Sequence, residues 1–360
     1  MAYDLGNEEL NERLRSLVAD SSENENQDLI EELIVTALKL HRDGATRGDL
    51  KMINTAVKEM RYSNLVFSRH DEPKVTIYGS ARTEPDDPNY KLTEEFAATM
   101  ASHGWGIITG AGPGIMEAGS KGAGIENSYG VNIRLPFEAS ANEYIAEGRT
   151  VNFKYFFTRK LGFVKESNAF VIMPGGFGTL DEAFELITLI QTGKSDLHPI
   201  VLLEAEGTGY WEPLMAFTTD ILLGKGMISE SDLALFLQTT DPQEASHHIL
   251  EFYTNYHSQR YTAGKLILRL RQAPTDAELA RLNEDFSDII VEGVIERAEP
   301  NQAEVEDQDA LDMDRITFYF DRRHFGRLRQ LIDRLNDLAS LPETTEIPHP
   351  ISEEQAERPW

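Results

Sequence analysis

The chain reads as an α/β protein: a Rossmann-like, doubly wound parallel sheet with a helical N-terminal extension and a small α+β module at its C-terminal side. Three observations predict this. From Lys74 onward, short apolar runs alternate with amphipathic stretches at helical spacing, the pattern of a parallel sheet covered on both faces. Several of those runs end in glycine, serine or proline, where the chain must turn from strand to helix. The pattern changes on either side of this block, to helical spacing alone before Lys74 and to a βαββα order after Tyr261.

In chain order, residues 1 to about 26 are polar and acidic, with a short helix around LNERLRSLV. Leu29, Leu33, Ile34, Ala37 and Leu38 then recur at helical spacing, and a second helical run covers Leu50 to Met60. VTIYGS is a strand entering a turn, LTEEFAATMASHG a helix with a glycine stop, GIITGAG a strand and GIMEAGSKGAG a helix. YGVNIRLPF reads as strand, NFKYFFTRKLGFVKES as helix, AFVIMPGG as strand, GTLDEAFELITLIQTGK as helix and PIVLLEAEG as strand. WEPLMAFTTDILLGKGMI and PQEASHHILEFYTNY close this block as helices. Beyond it come strand KLILRLRQ, helix TDAELARLNEDF with the capping pair Thr275 and Glu278, strand DIIVEGVIE, an acidic loop, strand RITFYFD and helix HFGRLRQLIDRLNDL. This order suggests an ACT-like or ferredoxin-like module. The expected divisions are residues 1–70, 71–258, 261–340 and a disordered tail at 341–360.

Composition narrows the function. The 360 residues, 41% of them hydrophobic, can build a large core and more than one domain. No cysteine is present, which removes disulfides, thiol nucleophiles and thiolate metal sites. A net charge of -27 repels phosphodiester backbones, so nucleic acid is not an expected partner, although a pocket can still be locally positive for a small phosphorylated ligand. No apolar run is long enough for a bilayer and MAYDLGNEEL lacks the parts of a signal peptide, so the expectation is a cytoplasmic chain with no membrane partner.

Four stretches fall where the carboxyl edge of the sheet is expected, the edge at which such folds bind ligands. They are YGSART with Ser80, TGAGPGIMEAG with Thr109, Gly110, Gly112 and Gly114, FTRK with Arg159 and Lys160, and MPGGFGTLDEAFE with Gly175, Gly176, Gly178 and Thr179. Bare amides at a helix start bind phosphate through N–H groups and the helix dipole. A tight strand-to-helix turn without any ligand is the alternative for the first glycine set. It is neither a Walker loop, since no Lys-Ser/Thr follows, nor a full dinucleotide fingerprint, since VNIRLPF lacks the ribose-binding acid. Asp181, Glu182 and Glu185 stand in the first turns of the following helix, where the dipole favours carboxylates. Glu182, closest to the anion loop, is the one that could reach a sugar bound through its phosphate. Arg159 and Lys160 are either a solvated face or a clamp for phosphate and ribose oxygens. His247-His248 reads as surface, and no histidine–carboxylate spacing calls for a metal.

These residues carry a resemblance. PGGFGTLDE matches the PGGxGTxxE signature of the LONELY GUY family, TGAGPGIMEA resembles its second glycine motif and FFTRK its Arg-Lys helix. The resemblance covers roughly Lys74 to Tyr256, and the two flanks look like those of long bacterial members. It implies hydrolysis of the N-glycosidic bond of a nucleoside 5′-monophosphate, AMP or a cytokinin nucleotide, to free base and ribose 5-phosphate. It implies Arg159 and Glu182 as the essential pair, no cofactor and no metal, and a homodimer or higher homo-oligomer whose site a neighbouring subunit completes. It gives no support to the lysine decarboxylase label that the family often bears. Family helices often carry methionine and histidine before the Arg-Lys pair, where Phe156, Phe157 and Thr158 stand here, so the base-side pocket differs. A nucleotide-binding sensor without hydrolase activity is the competing reading, motivated by the two appended segments.

Overall fold

The structure, a computed structural model, describes residues 4–21, 26–133 and 142–339. Two compact units divide between Arg61 and Tyr62. The first contains helices α1 (Glu8–Ser21) and α2 (Gln27–Arg42) and most of α3 (Arg47–Phe67). Leu14 and Val18 of α1 and Val35 of α2 are its buried apolar residues. Thr46 opens α3 with a reciprocal cap: its hydroxyl accepts from the Asp49 N–H at 3.2 Å and its own N–H donates to the Asp49 carboxylate at 3.3 Å.

The second unit holds two sheets. The larger is a seven-stranded parallel sheet made of β1 (Lys74–Tyr78), β2 (Gly106–Thr109), β3 (Ser128–Ile133), β4 (Thr150–Phe153), β5 (Ala169–Ile172), β6 (Ile200–Leu203) and β7 (Leu237–Thr239). Their order is β4-β3-β2-β1-β5-β6-β7. The interleaved helices are α4 (Pro88–Ser102), α5 (Ile115–Ala123), α6 (Phe156–Lys165), α7 (Phe177–Gln191), α8 (Glu212–Phe217) and α9 (Pro242–Phe252). Every residue of β1, β2, β5 and β6 is buried, as required when helices cover both faces of a parallel sheet. The chain lays β2, β3 and β4 on one side of β1 and β5, β6 and β7 on the other. The strand order therefore reverses at β1 and β5, which opens a crevice at their carboxyl ends.

Two strands of this sheet differ from the sequence reading. Thr150–Phe153 is strand β4, hydrogen-bonded to β3, where a continuous helix was expected to begin at Asn152. Only two residues separate β4 from α6, so the aromatic run merged two elements into one apparent period. Strand β7, three residues long, gave no apolar run to read. The expected extension of β3 past Ile133 lies outside the described residues, as does the tail from residue 340.

The smaller sheet is antiparallel, ordered β10-β11-β9-β8, from β8 (Tyr256–Thr262), β9 (Lys265–Leu270), β10 (Ile290–Arg297) and β11 (Asp314–Phe320). Helices α10 (Asp276–Asp285), α11 (Gln302–Glu306) and α12 (Phe325–Leu338) accompany it. The capping box of Thr275 and Glu278 forms as expected. The module opens with a hairpin that the βαββα reading lacked, so the expected division at 258–261 cuts through β8. Strand β8 escaped notice because its buried residues include Gln259 and Arg260, polar groups rather than an apolar run. Arg260 is paired with Asp307 at 2.6 Å and Asp309 at 3.1 Å, from the acidic stretch read as loop. That stretch contains α11, whose buried Glu304 accepts from Arg269 at 2.9 Å and Arg315 at 3.2 Å.

Candidate functional site

The loops at the reversal point are tied to one another by main-chain bonds. The Met173 N–H donates to Tyr78 O at 2.8 Å, Ser80 N–H to Pro174 O at 3.1 Å and Ile115 N–H to Ser80 O at 3.0 Å. Gly114 makes the last of these junctions possible. It has φ +69°, and a Cβ there would stand 2.4 Å from Ser80 O. The loops enclose a cleft of about 870 Å³.

Ser80, Gly110, Gly112, Gly175, Gly176, Gly178, Thr179, Arg159 and Glu182 all line this cleft. Gly112 and Gly178, from the two glycine loops, share it with the Glu182 carboxylate. At Gly176 and Gly178 an added Cβ would meet nothing within 4 Å, so this backbone is open to a ligand. Gly176 caps α7 without any side-chain cap, leaving the first-turn amides of a fifteen-residue helix at the cleft. Gly110 is different: a Cβ would stand 2.4 Å from Arg159 Nη2, so glycine here makes room for the guanidinium.

Three expected ligand residues lie elsewhere. Lys160 does not line the cleft; its ammonium binds Asp181 and Glu185, each at 2.8 Å. Consecutive helical residues point about 100° apart, and here Arg159 faces the cleft while Lys160 turns to Asp181 and Glu185. Thr109 is fully buried, its hydroxyl accepting from the Ala111 N–H at 3.1 Å. Gly114 acts as the junction already described. Away from the cleft, His248 is not a surface group like its neighbour His247. It is half-buried, its Nε2 accepts from Arg329 Nη2 at 3.1 Å, and burial, then the Arg329 charge, pushes its pKa down to about 3.

Arg159 and Glu182 form the charged centre of the cleft. Arg159 Nη1 lies 3.4 Å from Glu182 Oε1, its Nε donates to Val131 O at 2.9 Å, and the guanidinium sits 5.0 Å from the Phe163 ring centre. Burial pushes the Glu182 carboxyl from its ordinary 4.5 up to about 7; Arg159 opposes this and Asp181 adds to it. The result is a carboxyl that exchanges its proton near neutrality, beside a fixed cation.

Several cleft residues carried no motif. Tyr210, from the loop after β6, donates its hydroxyl to Gly175 O at 2.6 Å. Asn89 and Asp87 come from the start of α4, with Asn89 Oδ1 accepting from the Ala205 N–H at 2.8 Å. Arg82 is an exposed cation within YGSART, and Phe156 and Phe177 bring aromatic rings to the lining. Arg82, Phe156 and Phe177 stood inside stretches already singled out by sequence, whereas Asp87, Asn89 and Tyr210 did not.

Part of this chain resembles known proteins. Residues 110–249 match the family model described as possible lysine decarboxylase. The chain is 30% identical over 150 residues to a probable cytokinin riboside 5′-monophosphate phosphoribohydrolase of Oryza sativa subsp. japonica, covering 42% of this chain and 58% of the relative. It is 37% identical over 86 residues to a cytokinin riboside 5′-monophosphate phosphoribohydrolase of Arabidopsis thaliana, 24% of this chain and 38% of the relative. Over this segment the chain is similar to proteins of the LONELY GUY family. It spans about half the length of the curated relatives it matches. A solved molybdenum cofactor carrier protein of Chlamydomonas reinhardtii is also similar, at 22% identity over 48% of this chain and 93% of that one, with a TM-score of 0.33. Both glycine loops, Arg159 and Glu182 lie inside the segment that the family model matches, whereas Ser80 and the second sheet lie outside it.

Proposed function

We propose that the LONELY GUY-like domain hydrolyses the N-glycosidic bond of a purine nucleoside 5′-monophosphate, releasing free base and ribose 5-phosphate. The observation that carries this reading is the Arg159–Glu182 pair, 3.4 Å apart, in the same cleft as the open backbone of Gly176 and Gly178. The amides at the start of α7, with Thr179 and Ser80, hold the 5′-phosphate. The ribose then lies toward Glu182. As the C1′–N9 bond breaks, its electron pair leaves with the base and positive charge builds on the ribose. The Glu182 carboxylate stabilises that charge and accepts a proton from the water that bonds to C1′. Arg159 fixes the nucleotide and keeps Glu182 partly ionised at neutral pH.

Relatives named as cytokinin riboside 5′-monophosphate phosphoribohydrolases support the substrate class, and AMP and a cytokinin nucleotide are both candidates. We infer a homodimer or higher homo-oligomer, supported by aromatic surface at or beside the cleft: Phe156 and Phe157 are each 55% exposed and Phe177 is 94% exposed. Incubation with either nucleotide should yield base and ribose 5-phosphate by chromatography, and Glu182→Gln should lower the rate by at least about 10²-fold. Base release by Glu182→Gln at the wild-type rate removes Glu182 from the mechanism. Nucleotide binding without base release favours the second reading, a sensor, for which the added four-stranded module is the motivating feature.

A further inference from the structure

The loop between β6 and α8 folds around a buried carboxylate. Glu204 is 3% exposed, and one of its oxygens accepts from the Thr208 hydroxyl at 2.7 Å and the Tyr210 N–H at 2.5 Å. The other accepts from the Trp211 N–H at 3.1 Å. A carboxylate this buried is costly without such donors, so the loop closes on it. Trp211 is fully buried, its indole N–H donates to Leu203 O at 3.2 Å, and its ring meets that of Tyr210 edge-on at 4.7 Å. Main chain and ring of Tyr210 are thus fixed independently, and its hydroxyl arrives 2.6 Å from Gly175 O.

From this we infer that Tyr210, held by Glu204, is a positioning residue for the phosphate turn at Pro174–Gly176. The inference rests on the nucleotide-binding reading above and deepens it. Gly175 C=O and Gly176 N–H belong to one planar trans peptide and point to opposite sides. A Gly-Gly peptide without side chains reorients at low cost, so its N–H direction is not fixed by the turn itself. The Tyr210 hydroxyl fixes the carbonyl and therefore fixes the Gly176 N–H. The turn cannot be stiffened by a side chain at Gly175 instead, because a Cβ there would stand 2.2 Å from Thr179 Oγ1. Tyr210 supplies the order that the two glycines lack, before the ligand arrives.

The test uses the full chain and two probes: ribose 5-phosphate, which carries the phosphate, and adenosine, which does not. Calorimetric titration of Tyr210→Phe should show ribose 5-phosphate bound about tenfold more weakly than by wild type, the worth of one oriented hydrogen bond. Adenosine affinity should not change, and with AMP the loss should fall on KM more than on kcat. Glu204→Gln, with one acceptor oxygen fewer, should move ribose 5-phosphate binding in the same direction. Unchanged ribose 5-phosphate binding in Tyr210→Phe overturns the inference, and so does an equal loss for both probes, which marks a general disturbance of the cleft. Wild-type protein that binds ribose 5-phosphate through Tyr210 yet releases no base sinks the hydrolase reading and leaves this one standing.

Discussion

The carboxyl of Glu182 sets two opposed pH dependences. Its pKa rises from 4.5 to about 7, chiefly through burial. The reaction needs the ionised form, so kcat/KM for AMP should climb as pH passes about 7 and level off above it. Stability runs the other way. Between pH 4.5 and 7 the folded state keeps a proton that the unfolded state has lost, so stability falls with rising pH across that window and stays lower above it. Glutamine mimics the neutral carboxyl. Glu182→Gln should therefore be more stable than wild type at pH 8, by about 3 kcal/mol, and indistinguishable at pH 4, as read from denaturant midpoints. Equal stabilisation at both values would mean that ionisation is not the cause. The place of this residue at the cleft was legible from its position after a glycine-rich helix start. Its partner was legible only in part: FTRK offered two cations, and helical geometry gives one to the cleft and the other to Asp181 and Glu185.

At the level of elements, glycines that look alike in sequence do different work. Gly114 joins two loops at φ +69° with Ser80 O against its Cα, so Gly114→Ala should cost about 3–5 kcal/mol. Gly178 lies in the first turn of α7 with open space beside it. Gly178→Ala should gain about 0.5–1 kcal/mol from helix propensity and still bind ribose 5-phosphate about tenfold more weakly, because the methyl group enters the ligand's space. Thermal melts and titrations on both variants check the contrast; undiminished binding by Gly178→Ala would place the ligand elsewhere. The same physics explains what the sequence revealed of the fold. The strands buried on both faces, β1, β2, β5 and β6, announced themselves as apolar runs. Strand β4 abuts an aromatic helix, β7 has three residues, and β8 buries Arg260, whose carboxylate partner Asp307 comes 47 residues later, so none of these gave a local signal. Tyr210 was hidden for a related reason, since its role depends on a hydrogen bond to Gly175 across 35 residues of chain.

At the scale of the whole molecule, charge and apolar surface pull in opposite directions. Two copies that each carry -27 repel one another, so the proposed association needs another driving force. The α6–α7 surface offers it: Phe157 is 55% exposed, Leu161 43% and Phe184 44%, on helices already joined through Lys160 and its two carboxylates. Covering these side chains removes apolar area from water, at roughly 25 cal/mol per Å², and that gain is insensitive to ionic strength. The repulsion is not, because salt screens it beyond about 8 Å at physiological strength. Sedimentation equilibrium should therefore show a homo-oligomer that tightens as salt rises, the reverse of an assembly held by ion pairs. Phe157→Glu removes apolar area and adds charge at the same point, so it should shift the protein to monomer and reduce base release with it. If Phe157→Glu remains associated, the subunits meet on another surface; if it becomes monomeric and retains full activity, the cleft does not depend on a neighbouring copy.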